Sequence, residues 1–187
     1  APNRSSSFET VNESVISDYI SSVTRLSTSA GKLKIIYTAL HGVGAETFIS
    51  VFQKAGFNDL ILVSEQNEPD PNFPTTAFPN PEESGVIDLA IEYAKKHNAD
   101  LVIANDPDAD RCAVAVNDPE SGWRMLRGDE VGVILGKYLV EKNISTSKAF
   151  ANSLVSSSLL AKIAKKNSVK FHETLIGFKW ISKVENL

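Results

Sequence analysis

The chain has 187 residues, 42% of them hydrophobic and 22% charged, so it can bury a globular core without disulfide or metal staples. With 19 basic against 23 acidic residues the formal net charge is −4, and no basic run exceeds a pair; this excludes an electrostatic footprint for nucleic acid or an anionic membrane. Cys112 has no second cysteine to pair with, and no apolar run approaches the ~20 residues of a membrane helix, so a cytoplasmic, reducing setting is expected.

Residues 1–7 are polar and expected to be loose. From Phe8 to Ser29, apolar residues recur at Val11, Val15, Ile16, Tyr19, Ile20, Val23 and Leu26, a spacing that predicts a helix closed by Gly31. Residues 34–38 read as a strand, 41–44 as a turn, 45–55 as a helix closed by Gly56, and 60–63 as a second strand. The segment from Glu65 to Pro81 carries Pro69, Pro71, Pro74, Pro79 and Pro81, whose missing N–H donors predict an ordered loop without regular structure. Pro81-Glu82-Glu83 then suits the first turn of a helix running to His97. Leu101-Val102-Ile103-Ala104 is a continuous apolar strand, the kind buried on both faces of a parallel sheet.

Strands at 112–116 and 123–126 flank a turn at Asn117-Asp118-Pro119, and 129–141 reads as a helix. A new unit follows: strand 149–151, helix 156–166 and strand 169–172. Repeated βαβ units predict an α/β protein, a mostly parallel three-layer αβα sandwich with part of a second, similar domain. The predicted division is an N-terminal segment and helix (1–32), a first α/β domain (33–145) and the beginning of a second (148–187), with a polar linker at Ser145-Thr146-Ser147. The start at Ala1 without an initiator, and the stop just after a fresh helix-like start at Phe178-Lys179-Trp180, predict an excised piece of a longer protein.

The chemistry concentrates in Asn105-Asp106-Pro107-Asp108-Ala109-Asp110-Arg111. Unpaired, three alternating carboxylates would repel one another and raise each other's pKa; a divalent cation removes that cost. Hard oxygen donors suit Mg²⁺, which leaves positions for water or phosphate. Pro107 stiffens the loop, and the end of a buried strand is where open α/β sheets bind ligands. Arg111 adds a planar, bidentate phosphate clamp. An EF-hand is rejected, because its sixth and twelfth positions would be Arg111 and Asn117 instead of Gly and Glu. An Asp-nucleophile phosphatase using Asp106 stays open, weakened by Asp110 at the place where a small hydroxyl residue is usual.

Two strand-to-helix turns are weaker signals. His41-Gly42-Val43-Gly44 nearly spells a dinucleotide fingerprint, with Glu65 downstream, but Thr47 replaces the third glycine. A tight turn is the favoured reading; a non-catalytic nucleotide-binding module is the alternative. At Gly177-Phe178-Lys179-Trp180, Gly177 permits close ligand approach. Lys179 near a helix N-terminus would oppose the dipole unless an anion sits there.

Together, Leu40-His41-Gly42-Val43-Gly44, Pro69-Asp70-Pro71 with Phe78-Pro79-Asn80-Pro81-Glu82-Glu83, the Asn105–Arg111 run, and Gly177-Phe178-Lys179-Trp180 resemble the phosphoglucomutase/phosphomannomutase (α-D-phosphohexomutase) superfamily. The wording of the loops is most similar to the branch with phosphopentomutases and glucose-1,6-bisphosphate synthases. The resemblance implies a four-domain enzyme acting on glucose, mannose or ribose phosphates and bisphosphates through a phosphoserine. This chain would then be the second domain and the start of the third, dependent on the remaining domains of its parent. The family's serine loop (Thr-Ala-Ser-His-Asn-Pro) and its sugar loop (Gly-Glu-x-Ser) do not occur here. By the resemblance, Asp106, Asp108 and Asp110 would be the protein ligands of Mg²⁺, Arg111 would touch the transferring phosphoryl group, and Gly177 and Lys179 would bind the phosphosugar. Ile176 departs from the family's common Thr, which puts sugar preference in question.

Overall fold

The computed structural model describes residues 10–27, 31–142 and 149–185. Helix α1 (Ser14–Thr24) is followed by β1 (Ile35–Thr38), α2 (Ala45–Lys54), β2 (Leu60–Leu62), a 3-10 turn at Ser64–Gln66, α3 (Asp88–His97), β3 (Leu101–Asn105), β4 (Cys112–Asp118) and β5 (Gly122–Met125). Then come α4 (Gly128–Glu141), β6 (Ala149–Ser153), α5 (Leu159–Lys166), β7 (Lys170–Thr174) and the short α6 (Phe178–Ile181).

The first sheet has the order β2-β1-β3-β4-β5. Strands β1, β2 and β3 are parallel, β4 runs against β3, and β5 runs against β4. Four of the five strands therefore point the same way. Strands β6 and β7 form a separate parallel pair.

Alternate residues of the central strands feed two cores. Ile36, Val102 and Ala104 pack with Ile87, Ala90 and Ala94 around α3. Ile35, Tyr37 and Ile103 pack on the opposite face with Ala45, Phe48 and Phe52 of α2. Helices thus cover both faces, the three-layer arrangement expected of βαβ units. Burying each Ile or Leu contributes roughly 1.5–3 kcal/mol, which is why β1 and β3 form the rigid centre.

Three predicted helices are shorter than expected. The helix predicted from Pro81 begins only at Asp88. Gly85 has φ of +84°, a left-handed residue that no helix accommodates, and residues 81–87 make successive turns instead. Helix α1 is shorter than its apolar pattern, beginning at Ser14 where the Asn12 side chain accepts from the Ser14 N–H (2.9 Å). It closes in a turn at Arg25 and Leu26, ahead of Gly31. Helix α5 starts at Leu159, after a turn closed by the Ser156 N–H on the Ser153 carbonyl (2.9 Å).

The expected loose start at residues 1–7, the helix ends at Phe8 and Ser29, and the linker at Ser145-Thr146-Ser147 lie outside the described residues. Helix α4 packs on α5, with Gly136 against Phe150 and Leu160. Among the described residues no helix is long and apolar enough to cross a membrane.

Candidate metal centre

Strand β1 lies between β2 and β3, so the chain leaves β1 toward one edge of the sheet and returns on the other side. The loops after β1 and β3 diverge at this switch point, where open α/β sheets hold their ligands. Here the two loops are pressed together. The Val43 N–H donates to the Pro107 carbonyl (2.9 Å). A Cβ built on Gly42 would sit 2.2 Å from Pro107 Cα and 2.4 Å from its carbonyl oxygen. The glycine turn therefore uses its free space to seat the acidic loop.

That seating is backed by a buried polar network. Leu40 and His41 are both left-handed (φ 47° and 59°), which turns the chain sharply out of β1. The His41 N–H donates to the Gln66 carbonyl (2.9 Å), and His41 Nε2 lies 2.8 Å from Thr75 Oγ1. Gln66 donates from Nε2 to Thr75 Oγ1 (2.8 Å) and accepts from Thr38 Oγ1 (2.7 Å). His41 is 4% exposed, and it anchors the proline-rich loop to the sheet.

Asp106, Asp108 and Asp110 converge, with one carboxylate oxygen of each lying within 4.8 Å of the others. Asp106 is buried at the base (1% exposed), and Asp108 and Asp110 open to solvent. The loop closes on itself through the Ala109 N–H donating to the Asp106 carbonyl (2.9 Å), with Ala109 left-handed at φ 58°.

The three side chains differ electrostatically. Burial acts to raise the pKa of Asp106, but the Arg111 backbone N–H, its side-chain hydrogen bond and its charge together hold that carboxyl below the usual range. Asp110 is pushed up, chiefly by the charge of Asp108, then by burial and by Asp106. A site that folds with one carboxyl raised by its neighbours carries excess negative charge. A bound cation relieves that excess. The donor set of three carboxylate oxygens fits a hard divalent ion.

Arg111 supplies the opposite charge. Its backbone N–H donates to Asp106 Oδ1 (2.9 Å) and its Nε to Asp106 Oδ2 (2.7 Å). Its Nε also lies 3.6 Å from Asp110 Oδ1. Nη1 donates to Asn80 Oδ1 (3.0 Å), and Nη2 has no partner among the described residues. The guanidinium is thus held at one edge and free at another, where it can meet an anion.

The feet of the loop are fixed by Asn105. Its Nδ2 donates to the Arg111 carbonyl (2.7 Å), and its Oδ1 accepts from the Tyr37 hydroxyl (3.0 Å). Burial, then the charge of Cys112, push the Tyr37 hydroxyl above its ordinary range, so it stays a donor. Replacing Tyr37 by Phe removes that donor without altering the stacking on Phe48. A loss of about 1 kcal/mol is expected, read as a lower urea midpoint with unchanged slope. An unchanged midpoint would show that the bond contributes nothing.

Gly177 and Lys179 are placed elsewhere, after β7 of the two-stranded sheet. Gly177 has φ of +113°, and a Cβ there would meet nothing within 4 Å. Lys179 is exposed, its Nζ 5.8 Å from the Trp180 ring centroid, and it makes no ion pair among the described residues. Asp106, Asp108, Asp110 and Arg111 are brought together; no contact among the described residues joins Gly177 or Lys179 to them. The contacts of Asn80, Asn105, Tyr37 and Thr75 were not legible in local pattern, because their hydrogen bonds span 6 to 68 residues of sequence.

Comparison with known proteins fits this geometry. Residues 17–122 match the alpha/beta/alpha domain II of the phosphoglucomutase/phosphomannomutase family, and residues 127–185 match its domain III. Helix α4, which packs on α5, falls within the second match. The Haemophilus influenzae protein named "Probable phosphomannomutase" is 47% identical over 185 residues, covering 98% of this chain and 38% of that protein. The phosphoribomutase of Saccharomyces cerevisiae is 45% identical over 159 residues, covering 78% of this chain and 26% of that protein. This chain therefore spans well under half the length of these relatives. The crystal structure of Aspergillus fumigatus N-acetylphosphoglucosamine mutase in complex with GlcNAc-6P and magnesium has the same fold, with TM-score 0.56 and 17% identity over 88% of this chain and 34% of that one. From its paired domain matches, its close relatives and the acidic loop at the sheet's switch point, the chain belongs to the phosphoglucomutase/phosphomannomutase family.

Proposed function

We propose that this chain is the metal-binding part, and the start of the sugar-recognition part, of a phosphosugar mutase. The parent moves a phosphoryl group between positions of a hexose or pentose phosphate by way of a bisphosphate. The observation that carries this reading is the convergence of three carboxylates beside a guanidinium with a free edge. The mutase names of the relatives, the magnesium in the A. fumigatus complex and its phosphosugar ligand support it.

On this reading Asp106, Asp108 and Asp110 hold Mg²⁺, with Asp106 oriented by its two bonds from Arg111. Held there, Mg²⁺ would supply charge neutralisation for the oxygens of a phosphoryl group. Arg111 presents its free Nη2 to the same oxygens, where a fixed guanidinium counts most. Gly177 leaves room for the sugar phosphate, and Lys179 supplies a positive charge to it. The phosphoserine comes from a domain outside this chain, and the setting is cytoplasmic.

Each Asp106 oxygen already accepts a bond from Arg111, which suits a ligand more than an attacking nucleophile. Trapping a phospho-aspartate at Asp106 would reverse that preference. Two assays test the proposal. Calorimetry with Mg²⁺ should give saturable binding that disappears in the Asp106→Asn, Asp108→Asn, Asp110→Asn triple variant; heats identical for the two proteins reject the metal site. A coupled mutase assay on the 187-residue chain should stay at the blank, and turnover above it rejects dependence on an external phosphoserine.

A further inference from the structure

Two neighbouring side chains at the end of the proline-rich loop act on Arg111, Asn80 through a hydrogen bond and Glu82 through its charge. Asn80 Oδ1 accepts from Arg111 Nη1 (3.0 Å) and also from the Glu82 backbone N–H (3.2 Å). The second bond closes an Asx turn that fixes the Asn80 side chain. The turn is itself anchored, because Pro81 is among the fully buried side chains and the Glu83 N–H donates to the Asn80 carbonyl (3.0 Å). Asn80 is therefore a rigid acceptor aimed at a guanidinium that is otherwise half exposed.

We infer that Asn80 is a positioning residue for phosphoryl transfer: together with Asp106 it fixes the plane of the Arg111 guanidinium and points the Nη2 edge at the transferring group. The inference rests on the function proposed above and deepens it. An arginine side chain has four rotatable bonds before its planar head, and one contact at Nε leaves the plane free to pivot about that contact. A second contact at Nη1 removes the pivot. Asp106 does not supply it: its two oxygens meet the Arg111 backbone N–H and Nε, not Nη1. Asp110 lies at 3.6 Å from Nε, on the same side as Asp106. Among the described residues Asn80 is the partner that braces the far side. A neutral amide does so without cancelling the positive charge that the phosphoryl group needs. Preorganisation of this kind affects the transition state more than ground-state binding.

The test uses the full-length parent enzyme. Asn80→Ala should lower kcat roughly tenfold with KM for the sugar phosphate changed less than about twofold. Asn80→Ser keeps an oxygen for the turn at Glu82 but is too short to brace Arg111; it should match the alanine variant in kcat while melting like wild type. Asn80→Asp restores the brace and the turn, and should recover a more ordered Arg111 Nε–H signal in ¹⁵N NMR than either. Arg111→Ala is the reference arm. If it leaves kcat unchanged, the functional reading itself fails. If Arg111→Ala lowers kcat but Asn80→Ser stays within about twofold of wild type, the brace alone is refuted. A Tm loss in Asn80→Ser that tracks its kcat loss also refutes the brace, because Asn80 would then act only on the fold.

Discussion

Replacing Gly42 by alanine is expected to collapse the site and destabilise the chain by about 3 kcal/mol, with Tm lower by roughly 6–12 °C. The new Cβ would lie 2.2 Å from Pro107 Cα and 2.6 Å from its carbonyl carbon, distances that no real contact shows. The obstacle is backbone on both sides, so no side chain can rotate out of the way. Either the turn after β1 moves or the acidic loop does. The turn is tied through His41 to Gln66, Thr75 and Asp70, whereas the outer half of the loop faces solvent. The acidic loop gives way, and the bond from the Val43 N–H to Pro107 breaks with it. Calorimetry should show Mg²⁺ binding lost even at temperatures where the variant stays folded. Gly42→Ala with native Tm and native affinity would mean that the two loops are not in contact.

Asp108→Asn is the second large effect. It removes one of three negative charges while keeping size and shape, so Mg²⁺ affinity should fall at least about tenfold. The same change has a signature in the metal-free protein. The charge of Asp108 is the largest cause of the raised Asp110 pKa, so in the variant Asp110 should titrate closer to an ordinary aspartate. Carboxyl ¹³C NMR reads this directly, and an unmoved Asp110 would break the electrostatic account.

The signs for stability are opposite at the two ends of the loop. Asp110 binds its proton more tightly folded than unfolded, so its contribution is lost as pH rises through its raised folded value. Asp106 is held below its unfolded value, so its contribution is present above that value and lost as pH falls through the folded one. Acid should therefore protonate Asp110 before it breaks the Asp106–Arg111 pair.

Local pattern carried the sheet and failed at particular ends. The apolar run Leu101–Ala104 could only be a strand buried on both faces, and the three alternating acids at its end are brought together as their spacing led one to expect. The start of α3 was misread because Pro81 and two acids look like a first turn, and only the positive φ of Gly85 shows otherwise. A glycine in a sequence does not declare the sign of its dihedral. Arg111 was legible as a cation beside the carboxylates. Its orientation was not, since that depends on Asn80, 31 residues away. The Thr38–Gln66–Thr75–His41 network was invisible for the same reason: its members meet only after the sheet forms.

Strand β4 pairs directly with β3, Asn105 opposite Cys112 and Ala104 opposite Ala113. The two strands grip the acidic segment like the ends of a handle. Adding or deleting one residue between Asp106 and Arg111 would slide β4 by a single step, turning Ala113 and Ala115 outward and forcing Val114 and Val116 into the space they fill. The length of the segment is thus policed by the core behind it, whatever ion or substrate lies in front.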